Sequence, residues 1–332
     1  MPRRLFYAQR NGGNVNLGRV GVARPVAFPI PMRITRCSRI VALASAALAV
    51  GAQALLPHAA TAASSARPAH ARLTAVSRPA AVSRPAAVAR VSWLTGDTAG
   101  RGLRLVHSGA VAAAVGKIFF TLGATDYTCS GTLVRSGRGY VVLTAAHCVT
   151  NGRGQWAVNW TFAPGYADGA EPYGQYTARR FFVSPRWKGP AGSERYDVAF
   201  VQVAPARLHG PKARRPKAPA GLPVTFAASQ TAPLEARAYV FGYPALPPYT
   251  GLYPNYCAGP AASSATRKGS ERIACAMTAG DSGGPWLTGF SPHSGTGTIT
   301  AVTAYKLSGD LQTLYGTVLG PVARGLYLRA SA

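Results

Sequence analysis

A serine flanked by glycines is the residue of this chain best suited to chemistry. Ser282 lies in residues 280–285, which read GDSGGP. Glycine adopts positive φ and lets the backbone approach a substrate closely, so the N–H groups of Gly280 and Ser282 can converge on an oxyanion. The competing interpretation is a phosphate-binding loop, but the run lacks the lysine and the frame of a P-loop. The pattern favours nucleophilic attack on a carbonyl.

A serine hydroxyl becomes a strong nucleophile only beside a base, and the base needs an acid to orient it. His147 is the candidate base, since it would take the proton of Ser282 and deliver it to the leaving amine. The candidate acids are Asp197, which directly precedes an apolar strand, and Asp168, whose neighbours are typical of a turn. The pattern favours Asp197, and it weighs against a merely structural buried histidine at position 147.

The elements that must position these three residues are predicted to be β-strands. Short apolar runs rich in Val, Thr, Phe and Tyr are punctuated by Gly and Pro, and no helical periodicity dominates them. Such a pattern indicates an all-β domain of roughly 230 residues. Strands are predicted over residues 117–122, 128–134, 140–144, 156–162, 176–183, 198–203, 224–227, 238–242, 284–288, 298–305 and 314–318.

The order and spacing of the motifs resemble those of chymotrypsin-fold serine endopeptidases, from about residue 105 to residue 328. Within that superfamily the chain is similar to the secreted trypsin-like and glutamyl-endopeptidase-like peptidases of bacteria. The chain order His, Asp, Ser also matches this lineage and not subtilisin or the α/β-hydrolases. The segments that carry the resemblance are residues 116–120, 129–133, 241–244 and 280–286, together with the motifs around His147 and Asp197.

The resemblance implies two packed antiparallel β-barrels and a closing C-terminal helix near residues 322–328. His147 and Asp197 would lie on the first barrel and Ser282 on the second, so that catalysis takes place at their cleft. Gly280 and Ser282 would form the oxyanion hole. The resemblance also implies that Asp281 is not the triad acid but part of a buried ion pair that shapes this hole, with a cation that the sequence does not identify.

Substrate specificity follows only from the pocket positions of the family. Trypsin-like members carry an aspartate six residues before the nucleophile, where this chain has Ala276, so selection for Lys or Arg is disfavoured. Glutamate-selective relatives place a histidine in the strand after the nucleophile, and residues 302–305 contain none. We expect a small or apolar side chain in the pocket and backbone pairing along this strand. The expected substrate-binding residues are Ala276, Met277, Thr303, Ala304 and Tyr305.

The first 92 residues differ sharply from the rest of the chain, because all ten Asp and Glu residues follow Trp93. An Ala-, Leu- and Val-rich run at residues 40–56 follows three arginines and precedes a small-residue cleavage site, which indicates a signal peptide over residues 1–62. The alternative is a membrane anchor. We expect translation to begin at Met32, residues 63–92 to be a low-complexity Ala/Pro/Arg pro-region, and residues 93–332 to be the peptidase domain.

Five cysteines are present, and Cys37 falls inside the expected signal peptide. The remaining four imply two disulfides in an exported protein, with three connectivities open from the sequence alone. A zinc site is disfavoured, since the cysteines lack paired Cys-x-x-Cys spacing. The family resemblance selects the pairs Cys129 with Cys148 and Cys257 with Cys275.

The whole chain carries a formal charge of +26, of which +13 lies after Trp93. Such a surplus attracts anionic partners through its long-range field. The densest basic run, residues 207–217, contains no aromatic residue, so a stacking site for nucleic acid is not expected there. We expect no specific nucleic-acid partner and no membrane contact after removal of the signal.

These observations together predict a secreted, extracellular serine endopeptidase that acts on proteins or peptides through an acyl-enzyme intermediate. It is expected to be a monomer with no cofactor and no metal. The alternative is a catalytically idle protease-like protein that binds anionic polymers through a basic surface. The intact set of His147, Asp197 and Ser282 favours the enzyme.

Overall fold

The computed structural model describes residues 96–106, 109–190, 192–205, 217–229 and 236–332, and the backbone of two short strands before them. These are β1 (Arg4–Leu5) and β2 (Gln9–Arg10). Apart from them, the expected signal peptide and pro-region lie outside the described residues, as does nearly all of the basic run 207–217. The two short strands and the described residues from 96 onward belong to one compact unit. Its next strand is β3 (Leu103–Arg104).

The first barrel consists of six antiparallel strands that close on themselves. They are β4 (Val115–Leu122), β5 (Thr125–Val134), β6 (Tyr140–Thr144), β7 (Val158–Pro164), β8 (Tyr176–Val183) and β9 (Ala199–Pro205). The order around the barrel is β5, β4, β7, β8, β9 and β6, and β6 returns to β5. Ile118, Phe162 and Phe200 are fully buried, as expected for strands that turn alternate side chains inward.

The second barrel is built in the same way from the later half of the chain. Its strands are β10 (Ala236–Gly242), β11 (Asn255–Ser263), β12 (Ser270–Ala274), β13 (Pro285–Ser291), β14 (Thr296–Leu307) and β15 (Asp310–Val318). They follow the order β14, β13, β10, β11, β12 and β15, and β15 pairs again with β14. The expected pair of antiparallel barrels is therefore confirmed.

The structure differs from the predicted strands of the second half in two places. Strands β11 and β12 were not predicted, since their sequences NYCAGPAAS and SERIA lack the β-branched alternation of the other strands. Residues 224–227, predicted as a strand, form only one bridge, from Val224 to Ile299. The connecting segment that contains them bonds first to one barrel and then to the other, through Leu222 N–H to Leu133 O and Thr225 N–H to Ile299 O. It therefore cannot extend a single ladder.

The closing helix is confirmed and is longer than predicted. A short helix α1 (Ala110–Ala114) precedes the first barrel, and α2 (Pro321–Ser331) ends the chain. Proline at the first turn suits α2, because that N–H has no partner inside the helix. The ring of Tyr327 packs on Phe200 of β9, and its hydroxyl donates to Arg135 O at 2.7 Å. Neither helix in the described part of the chain is long and apolar enough to cross a bilayer.

The structure joins the cysteines in the pairing expected from the family, Cys129 with Cys148 and Cys257 with Cys275. The first disulfide ties β5 to the loop that carries His147. The second ties β11 to the segment that leads to Ser282. Each closes a loop of 18 or 19 residues and stabilises the fold by about 3 kcal/mol in the chain-entropy treatment.

One carboxyl group of the second barrel lies in an environment that disfavours its charge. Glu271 on β12 lies opposite Gly316 of β15 and is 1% exposed. Its Oε1 has no hydrogen-bond partner among the described residues. Burial raises the pKa of Glu271 from 4.5 to about 7. The unfolded chain therefore loses this proton at a lower pH than the folded chain, and stability falls as the pH rises from about 4.5 toward 7.

We predict that Glu271→Gln removes this loss. The quantity to compare is the free energy of unfolding of the variant minus that of the natural protein. This difference should be more positive by about 3 kcal/mol at pH 8 than at pH 4.5. Denaturant unfolding of both proteins at the two pH values measures the difference. Asp126→Asn, at an exposed carboxyl, is the control and should show no such change. An equal effect of Glu271→Gln at both pH values would contradict the prediction.

Candidate active site

His147 and Asp197 are brought together by two short 3-10 helices of the first barrel. His147 lies in the helix at Ala146–Cys148, which follows β6, and Asp197 directly follows the helix at Glu194–Tyr196, before β9. Strands β6 and β9 are neighbours, paired from Thr144 with Ala199 onward. The side chains therefore meet at the same end of the sheet.

The carboxylate of Asp197 holds His147 through both of its oxygens. Oδ2 lies 2.7 Å from the ring Nδ1, and Oδ1 accepts the backbone N–H of His147 at 2.9 Å. Asp197 is fully buried. With Nδ1 as the donor, Nε2 is left as the basic nitrogen of the ring. The other candidate acid, Asp168, has a positive φ and accepts a hydrogen bond from the hydroxyl of Tyr253 at 2.7 Å, as a turn residue would.

Ser282 lies on the loop between β12 and β13 and is attached to both barrels. Its carbonyl oxygen accepts the N–H of Ser130 on β5 at 2.8 Å and lies 3.7 Å from Sγ of Cys148, the residue after His147. The next residue, Gly283, donates to the carbonyl of Thr303 on β14 at 2.8 Å. The loop of Ser282 thus lies directly beside the loop of His147.

Hydrogen bonds fix the orientation of the peptide groups that precede Gly280 and Ser282, because the carbonyl oxygen of each peptide accepts a bond. Ala279 O accepts from Ala245 N at 2.7 Å, and Asp281 O accepts from Gly284 N at 2.9 Å. A trans peptide points its N–H opposite to its C=O. The N–H groups of Gly280 and Ser282 therefore point to the sides of their peptides opposite Ala245 and Gly284.

Ser130 holds the peptide on the other side of Gly280. Its hydroxyl donates to the carbonyl of Gly280 at 2.8 Å and accepts the N–H of Tyr243 at 2.8 Å. Gly280 has φ +102°, a conformation that L-residues with side chains rarely adopt. The loop conformation around Ser282 therefore depends on glycine and on one serine of the first barrel.

Asp281 lies buried beside Ser282, and burial raises its pKa to about 7. The charges of Lys306 and His147 oppose this rise. Lys306 is 2% exposed, and its Nζ donates to the carbonyls of Cys275 and Leu311 at 2.5 and 2.6 Å. Lys306 is thus the cation near Asp281 that sequence reasoning missed. Its signal was a single lysine in the apolar run TAYKL.

The residues expected to bind substrate differ in their burial and in their contacts. Ala276 is half-buried, whereas Met277 packs in the core of the second barrel. The backbone N–H and C=O of Thr303 bond to Gly284 O and Gly283 N, so Thr303 is used to hold the Ser282 loop. Tyr305 stacks on Tyr315 with ring centroids 5.0 Å apart. The Ser282 loop therefore occupies the backbone groups of Thr303, and another extended backbone can pair with β14 only beyond this residue.

The edge of β14 beyond Thr303 does pair with an extended segment of this chain. Strand β1 runs antiparallel to β14, with Leu5 opposite Lys306, and β2 pairs with β5, with Gln9 opposite Thr128. Both strands also hydrogen-bond to the Ser282 loop, β5 through Ser130 and β14 through Thr303. They can therefore accept one extended backbone that passes across it.

One cluster has the composition of a metal site but not its chemistry. The ring nitrogen of His147 and the sulfurs of Cys129 and Cys148 lie within 4.8 Å of one another. Both sulfurs are joined in a disulfide, so neither offers a thiolate ligand.

Comparison with known proteins agrees with this geometry. The trypsin-like peptidase domain matches residues 129–289. The protease Anisep from Arthrobacter nicotinovorans is 32% identical, with 68% of this chain and 98% of that chain covered and a TM-score of 0.58. The chain belongs to the trypsin-like peptidase family. No relative among curated proteins matches significantly.

Two further solved structures extend the comparison of this trypsin-like peptidase. The thermostable serine protease AL20 from an extremophilic microorganism is 28% identical, with 67% of this chain and 98% of that chain covered and a TM-score of 0.56. A Glu endopeptidase is 16% identical, with 69% and 96% covered and a TM-score of 0.53, and shares the fold. The two barrels and closing helix are therefore those of the chymotrypsin-like fold.

We predict that Gly283→Ala unfolds or strongly destabilises this trypsin-like peptidase. Gly283 has φ +81°, and a Cβ there would overlap Thr144 Oγ1 and the carbonyl of Ser130. Gly289→Ala is the matched control, because Gly289 also has a positive φ but has nothing within 4 Å of the added atom. Denaturant unfolding should show a loss of about 1–2 kcal/mol for the control, and at least about 2 kcal/mol more at position 283. Equal losses would contradict this account of the loop.

Proposed function

We propose that this protein is a secreted serine endopeptidase that hydrolyses peptide bonds through His147, Asp197 and Ser282. The observation that carries the proposal is the buried carboxylate of Asp197 bonded to both the ring and the backbone of His147, next to the Ser282 loop. The family supports peptidase chemistry in general. Two disulfides support export to an oxidising compartment.

In the proposed mechanism, Nε2 of His147 removes the proton of Ser282 as the hydroxyl oxygen attacks the scissile carbonyl. Asp197 stabilises the imidazolium that forms. The N–H groups of Gly280 and Ser282 bind the oxyanion of the tetrahedral intermediate. The imidazolium then protonates the leaving amine, and the acyl-enzyme forms. Water, activated by His147 in the same way, hydrolyses the ester and restores the hydroxyl of Ser282.

Two buried groups prepare this site without reacting. The substrate backbone pairs with β14 beyond Thr303, because Thr303 itself holds the Ser282 loop. Lys306 offsets the charge of Asp281, so the carboxylate next to the nucleophile can ionise near neutral pH. The preformed loop lowers the reorganisation that the transition state requires.

We predict that Ser282→Ala and His147→Ala each abolish nearly all peptidase activity, and that the double variant is hardly worse than either single one, because the two residues act as a unit. Asp197→Asn should fold normally and lose about 10⁴ in kcat, since an amide cannot hold the required tautomer. Steady-state kinetics on a cleaved peptide, with unfolding curves as the folding control, measure both effects. Additive losses at Ser282 and His147 would contradict the assignment.

A catalytically idle binding protein is the competing function, and covalent labelling separates the two. The purified protein should react with a fluorophosphonate at Ser282, and Ser282→Ala should not. Ser130→Ala is the matched control for removal of a hydroxyl at the same site, and it should still label, though more slowly, because Ser130 only holds the Gly280 peptide. Absence of label on the natural protein, with a known serine protease labelled in parallel, would favour the binding protein.

A further inference from the structure

A cavity of about 250 Å³ with a basic lining lies beside the proposed active site. One wall comes from the segment that ends at Asp197, through Glu194 and Arg195. The other comes from the loop between β11 and β12, through Arg267 and Lys268, and from Ser270. We call it the basic cavity.

Hydrogen bonds connect both walls of the basic cavity to the proposed catalytic elements. Glu194 begins the 3-10 helix that is followed directly by Asp197, and its carbonyl accepts the N–H of Asp197 at 2.9 Å. On the other side, the hydroxyl of Tyr305 donates to Oγ of Ser270 at 3.1 Å. Tyr305 lies two residues after Thr303, whose carbonyl holds Gly283. The cavity therefore adjoins the part of β14 where a substrate backbone is expected to pair.

The lining of the cavity contains three cationic side chains and one carboxylate. Oε1 of Glu194 accepts the N–H of Gly192 at 3.1 Å, and the guanidinium of Arg195 lies 5.0 Å from the ring of Tyr196. Nε of Arg267 is buried and has no hydrogen-bond partner among the described residues. A buried guanidinium nitrogen without an acceptor favours an anionic occupant that supplies one.

We propose that the basic cavity is a specificity subsite that binds an acidic side chain of the substrate, two to four residues before the scissile bond. This inference rests on the proposed function. Arg267 binds the carboxylate through charge-assisted hydrogen bonds, and Lys268 and Arg195 add electrostatic attraction at the exposed rim.

The antiparallel pairing on β14 places the subsite on the N-terminal side of the scissile bond. In the segment of this chain that pairs there, Leu5 lies opposite Lys306, and the later residue Gln9 lies opposite Thr128 of the first barrel. A backbone in this direction meets β14 before it passes the Ser282 loop. Residues next to Tyr305 and the basic cavity are therefore upstream of the bond that is cut.

The test uses peptides that share one cleaved bond and differ by Glu or Gln at the second, third or fourth residue before it. At one of these positions the natural protein should cleave the Glu peptide with at least about tenfold higher kcat/KM than the Gln peptide. Arg267→Gln should cut this ratio to nearly one, and Lys268→Gln should lower it by a smaller factor. Arg329→Gln, which removes an exposed cation of α2, is the matched control and should keep the full ratio.

Three results would overturn the subsite. The natural protein could cleave Glu and Gln peptides equally at all three positions. The ratio could survive in both Arg267→Gln and Lys268→Gln. Inorganic phosphate could inhibit cleavage of the Gln peptides as strongly as cleavage of the Glu peptides, which would indicate an anion site that does not bind the substrate side chain. Cleavage of the Gln peptides by the natural protein but not by Ser282→Ala upholds the proposed function in each of these cases. Failure to cleave any peptide would overturn both proposals.

Discussion

Ser130 and its neighbour Cys129 connect the two halves of the site, and most of the site geometry depends on this junction. The backbone N–H of Ser130 binds the carbonyl of Ser282, and its hydroxyl binds the carbonyl of Gly280. Cys129 is joined by a disulfide to Cys148, the residue after His147. Two adjacent residues of β5 therefore position the loop of Ser282, the proposed nucleophile, and the loop of His147, the proposed base. A shift of this strand would displace both loops together.

The site also depends on how buried charges are balanced. Asp197 is fully buried, and each of its two carboxyl oxygens has a hydrogen-bond partner on His147. Asp281 has the partial compensation of Lys306, and burial still raises its pKa. Glu271 has no such compensation, and its pKa rises to about 7 as well. The burial of this group without a partner lowers the stability of the fold as the pH rises.

The positive charge of the domain acts over two distances. Its surplus of +13 after Trp93 produces a field that attracts acidic proteins, but salt screens this field beyond about 10 Å at 0.1 M. The basic cavity acts at contact distance, through a partly buried arginine that salt screens much less. Under the proposed function, the general field attracts acidic substrates to the surface, and the proposed subsite selects the position of the acidic residue along the peptide.

The sequence alone determined the features with local signals. Glycines on both sides of Ser282 and the turn context of Asp168 are readable from neighbouring residues, because positive φ and turn chemistry depend on the residue itself. The family motifs added the pairing of cysteines and the two barrels. Strands β11 and β12 escaped prediction because they owe their conformation to pairing with β10 and β15, not to their own composition.

Only the tertiary structure decided the features that depend on distant residues. Lys306 lies near Asp281 because β14 hydrogen-bonds to the Ser282 loop, and the single lysine in the run TAYKL does not by itself identify Asp281 as its neighbour. Arg195 and Arg267 are 72 positions apart in the sequence and share one cavity because two loops of different barrels meet beside Asp197. Short sequence motifs therefore identify the candidate catalytic residues, whereas long-range packing determines which charged groups surround them.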